Sequence, residues 1–121
     1  MIRRTALAAA LSFVLLAAGP HPVRADAKDD AMEPIWLRYW EAIAAVQQCE
    51  DRKFTGPDYD AMVHVINRKV DFAIGAGPRT HLITVAKDNV WDLVFKYGCK
   101  DPQTVDLLNL FHTDLEPALP H

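Results

Sequence analysis

The sequence predicts an all-α fold, a small bundle of about four helices closed by one disulfide, and three observations carry that prediction. Apolar residues recur at three- and four-residue steps through separate stretches between residues 34 and 115, the spacing that lines one face of a helix. Prolines and glycines punctuate those stretches: Pro34, Pro57 and Pro102 stand where helices open, Gly75 to Pro78 and Gly98 where they close. The chain has two cysteines, Cys49 and Cys99, 50 residues apart, and an isolated pair in an oxidising compartment closes a bond.

The export context comes from the N-terminus. Arg3 and Arg4 precede an apolar run from Ala6 to Ala18, and Gly19, Pro20 and Pro22 follow it. A charged start, an apolar middle and helix breakers are the layout of a secretory signal. Val23-Arg24-Ala25 places the cut before Asp26, which makes residues 1–25 a cleavable signal and residues 26–121 a single domain. The run is shorter than the roughly 20 apolar residues that cross a bilayer, and no cysteine stands at the cut to carry a lipid. The expected location is periplasmic or secreted.

The elements follow in order. Residues 26–32 are charged and aperiodic and read as a frayed start. Pro34 opens the first helix, whose apolar side is Ile35, Trp36, Tyr39, Trp40, Ile43 and Val46, with Arg38, Glu41, Ala45 and Gln48 facing water up to Cys49. Pro57 opens the second helix, capped by Thr55 or Gly56, with Tyr59, Met62, Val63, Ile66, Val70, Ala73 and Ile74 in one arc. The third starts near Arg79 or Thr80 and runs to Tyr97 over Leu82, Ile83, Ala86, Val90, Leu93 and Val94. Asp101 and Pro102 begin the fourth, which continues to about Leu115, and the tail beyond Pro117 reads as loose. Short links predict antiparallel neighbours. With the second helix running back between the first and third, both sulfurs fall at the same end of the bundle.

Charge narrows the function. The signal carries three arginines and no acid, so its removal takes the formal net charge from −3 to −6. That sign disfavours nucleic acid and anionic membrane surfaces, which need a basic footprint. Beyond Ser12 in the signal there is no serine to act as nucleophile. His64, His81, His112 and His121 include no pair at the i, i+4 spacing of a helical metal site. Gly75 to Thr80 reads as an inter-helix turn rather than an anion loop. His112 lies among Val105, Leu108, Phe111 and Leu115 and is expected to be buried, neutral and lowered in pKa; a haem ligand paired with Met32 or Met62 is the weaker reading. No enzyme, metal or cofactor is expected.

One feature exceeds what folding requires. Trp91 and Phe95 are one turn apart and off the apolar face of the third helix, and Phe72 is similarly off the second. Val65, Leu107 and Leu110 also lie off their helices' main faces. A rival explanation is a central third helix buried on two sides. Exposed apolar clusters mark contact surfaces, so Trp91, Phe95 and Phe72 are the candidate partner-binding residues. The expectation is a non-catalytic protein that binds a protein partner or itself, as an inhibitor, immunity factor or accessory subunit. An alternative is a periplasmic chaperone, since in layout alone the chain is similar to acid-stress chaperones of that compartment; another is a carrier of a small apolar ligand or cofactor.

Overall fold

The computed structural model describes residues 23–120, so the expected export signal, residues 1–25, lies outside the described residues except for Val23 to Ala25. The four helices are α1 (Val23–Cys49), α2 (Gly56–Lys69), α3 (Ala76–Tyr97) and α4 (Pro102–Leu110). A π-helical turn (Phe111–Leu115) and a 3₁₀ turn (Glu116–Ala118) extend α4 without a break. No strand occurs among the described residues.

α1 corrects the sequence reading at its start. It is 27 residues long and carries Pro34 in its interior, so the segment expected to fray is helical. A proline inside a helix removes one hydrogen bond and crowds the preceding turn, at about 3 kcal/mol. The segment before Pro34 makes two tertiary contacts: Met32 packs against the core, and Lys28 Nζ reaches Asp71 Oδ2 at 2.6 Å. Further along, Ala42, Ile43, Ala44, Ala45 and Val46 are all buried. These five consecutive buried residues are enclosed on every side, so Ala45 faces protein rather than water, while Arg38 and Gln48 keep the exposure expected of them. α1, not α3, is the central helix.

The packing order explains this. α1 packs chiefly against α3 and next against α4, while α2 touches α1 and the C-terminal turns. No residue of α2 has its Cα within 8 Å of one in α3. The second helix therefore does run back, but along another side of α1 rather than between α1 and α3. Buried Ala42, Ala45 and Ala86 are small enough to let helix axes approach closely. The bonded cysteines tie the C-terminal end of α1 to the residues just after α3, with Cα atoms 5.7 Å apart, so α1 and α3 run in the same direction.

Local chemistry sets the boundaries. Thr55 caps α2 with a reciprocal box, its hydroxyl accepting from Asp58 N at 3.3 Å and its own N–H donating to Asp58 Oδ2 at 2.9 Å. α2 stops at Lys69, five residues before Ile74, because Asp71 and Phe72 both take a φ of +55°. Val70 and Ile74 still reach the core from this turn. α3 then starts at Ala76, earlier than expected, since Pro78 in a first helical turn forfeits no hydrogen bond. Asp101 caps α4 by accepting from Gln103 N at 3.0 Å, and the buried Thr104 hydroxyl donates to Gly98 O at 3.0 Å. In the π-helical turn, Phe111 and Leu115 remain fully buried. Leu119 is buried as well, which anchors a tail that reads as loose in the sequence.

Candidate binding surfaces

α3 places Leu82, Ala86 and Val90 against the core. At 100° per residue Trp91 and Phe95 project from the opposite side, and they are 66% and 80% exposed. Their neighbours are charged: Asp88 and Asp92 lie on the same outer half of the helix, and Lys96 Nζ pairs with Asp92 Oδ2 at 3.1 Å. The arrangement is an aromatic ridge with a polar margin. The rival of a third helix buried on two sides does not hold, because α1 occupies the central position.

Phe72 is also exposed, at 60%, but the structure does not bring it to the ridge. It sits in the turn before Ala76, whereas Trp91 lies fifteen residues further along α3, about 22 Å at 1.5 Å per residue. Phe72 points outward because its left-handed backbone turns Val70 and Ile74 inward on either side. Of the other residues off their main faces, Val65 and Leu107 are buried and Leu110 is partly buried, since α2 and α4 each pack against more than one element.

His112 is a second correction. Its side chain is 36% exposed rather than buried. Nε2 lies 2.8 Å from Glu50 Oε2 and Nδ1 lies 2.9 Å from Glu116 Oε1. These hydrogen bonds, that to Glu50 first, raise the His112 pKa above its ordinary 6.5. The buried stripe of α4 and the turn after it runs through Thr104, Leu107, Phe111 and Leu115 rather than through Val105, which is exposed, so His112 stands about 100° from Phe111 at the edge of the bundle. Glu116 also pairs with Arg52, whose hydrogen bond, ahead of that from His112, lowers the Glu116 pKa. The Arg52 guanidinium stacks 5.8 Å from the Phe54 ring and 5.4 Å from that of Phe111. Nearby, Tyr39 donates to Asp114 Oδ2 at 2.5 Å; burial, then this bond, raises the phenol pKa. The whole network ties the C-terminal turns to α1 and the loop after it. Among the described residues no group of three His, Cys, Asp or Glu side chains is placed to hold a metal ion.

Sequence reasoning missed a further feature. Because α2 and α3 do not meet, a cleft of about 240 Å³ remains between them over α1, lined by Trp40, Ile43, Ala44, Gln47, Tyr59, Ile83 and Lys87. Trp40 stacks on Tyr59 with ring centroids 6.3 Å apart and planes 16° from parallel. Gln47 Nε2 donates to the Tyr59 hydroxyl at 2.9 Å. The indole N–H groups of Trp36 and Trp40 and the Asn67 carbonyl are buried without partners among the described residues. Periodicity assigns Trp40, Ile43, Tyr59 and Ile83 to core faces, so no sequence signal separated them from ordinary packing. The chain matches no protein-family model, no curated protein and no solved structure.

Proposed function

We propose that the chain is an exported, non-catalytic binding protein that docks a protein partner through the outer face of α3, acting as an inhibitor, immunity factor or accessory subunit. The observation that carries this reading is the exposure of Trp91 and Phe95 on the side of α3 away from the core. Two large aromatic rings left in water forgo burial free energy of about 25 cal/mol per Å² of apolar surface. Aromatic anchors within a polar rim are the make-up of binding hot spots. The oxidised cysteine pair and the N-terminal signal layout support export to the periplasm or beyond it.

The acid-chaperone alternative gains nothing from His112. That ring was expected to resist folding on acidification, but two carboxylates beside it favour its charged form. The test places a photo-crosslinking amino acid at position 95 and, as a control, at exposed position 64, in the native compartment. A single protein crosslinked from position 95 alone, whose reconstituted complex weakens at least tenfold with Trp91→Gln and Phe95→Gln at unchanged melting temperature, is the expected result. Crosslinking equal at both positions, or a complex indifferent to both substitutions, refutes the reading.

A further inference from the structure

We infer that the cleft between α2 and α3 is a binding site for a small aromatic carboxylate of one or two rings. This site is separate from the outer face of α3 and independent of the partner proposed for it. Size sets the first limit. A cavity of about 150 Å³ accommodates benzene, so about 240 Å³ takes a molecule somewhat larger, on the scale of a fused bicycle. It falls short of the roughly 300–1,000 Å³ of sites that hold drug-sized ligands.

Shape and chemistry set the class. One wall is the stacked pair Trp40 and Tyr59, and the floor is Ile43 and Ala44 of α1, with Ile83 of α3 opposite. A flat apolar body meets an aromatic surface there by offset stacking. Four residues of the lining carry polar groups: Trp40, Gln47, Tyr59 and Lys87. The Tyr59 hydroxyl accepts from Gln47 and keeps its own proton to donate. Gln47 is engaged by that bond, and the Trp40 indole N–H is buried out of solvent's reach, so Trp40 meets the cleft through its ring. Lys87 is the single charged residue of the lining, it is exposed, and it has no ion-pair partner among the described residues. The Tyr59 hydroxyl and the Lys87 ammonium offer protons, and no residue of the lining offers a negative charge. A ligand matched to this site is apolar through its body and anionic at the end that reaches the Lys87 ammonium.

The fold also provides a way in. The cleft lies where two consecutive helices have no close backbone contact, so side-chain movement of Tyr59 and Lys87 suffices to admit a ligand. The helices themselves need not separate.

The experiment uses the oxidised exported chain and isothermal titration calorimetry. The probes are 2-naphthoate and its neutral analogue 2-naphthylmethanol. The expected result is saturable 1:1 binding of 2-naphthoate, with the alcohol weaker. Lys87→Gln, an exposed position that leaves the fold intact, then lowers affinity for the acid by about fivefold, the size of one solvent-screened charge contact, and leaves the alcohol unchanged. Ala44→Leu fills the cleft and abolishes binding of both while helicity is retained. No saturable heat with either probe at millimolar concentration overturns the site. Binding of the acid that is indifferent to Lys87→Gln overturns the anionic class, and binding that survives Ala44→Leu in a folded variant overturns the location.

Discussion

Removing the Cys49–Cys99 bond is the perturbation whose magnitude the structure defines best. The bond closes a loop of 50 residues, and the chain-entropy relation gives about 4 kcal/mol for that length. It joins the ends of two helices, α1 and α3, that already pack along each other through buried alanines. The native contacts therefore remain after reduction, and the loss falls on the unfolded chain, which regains the freedom the loop denied it. For a domain of this size, stability at 25 °C is about 5–15 kcal/mol, so the reduced protein stays helical at room temperature. Four kcal/mol corresponds to a fall in melting temperature of about 20 °C. The assay is thermal unfolding followed by circular dichroism, with and without a phosphine reductant. The Cys49→Ala, Cys99→Ala double variant serves as the reductant-free control. A fall of less than about 5 °C in both refutes the loop-entropy argument and means that the α1–α3 contact persists in the unfolded state.

Two further expectations concern the C-terminal network. The His112 pKa is raised by Glu50 and Glu116, so its contribution is complete below about pH 6.5 and fades as pH rises through the folded value. The Glu116 pKa is lowered, so its contribution is present above about pH 4.5 and is lost as pH falls through the folded value. The network is therefore strongest between about pH 4.5 and 6.5. Urea unfolding should show His112→Gln less stable than the parent by up to about 1 kcal/mol per exposed pair near pH 5.5, with the gap closing by pH 9; a gap that widens with pH contradicts the geometry. Phe111→Ala removes a fully buried ring packed 5.6 Å from Phe54 and should cost about 3–5 kcal/mol by the same method. A loss below about 1 kcal/mol means that the π-helical turn does not hold the core together.

The sequence by itself determined the helices and the bond. Three- and four-residue spacing put Met62, Ile66, Ala86 and Val90 on buried faces, and the Thr55 and Asp101 caps operate as their residue types require. These are local properties, decided within a few residues of chain. Exposure of Trp91 and Phe95 was also legible, because both stand on the far side of α3 from its apolar stripe. Tertiary structure decided what local pattern has no means to express. Pro34 lies within a helix rather than at its start, and the turns before it meet the rest of the fold through Met32 and Lys28, contacts distant in sequence. His112 lies at the edge because packing buries the Thr104, Leu107, Phe111 and Leu115 side of the last helix and leaves Val105, taken as part of its apolar face, exposed. The cleft at Trp40 exists because α2 and α3 both pack on α1 and not on each other. Periodicity states which side of a helix is apolar, and it carries no information about which neighbour covers that side or whether the cover is complete.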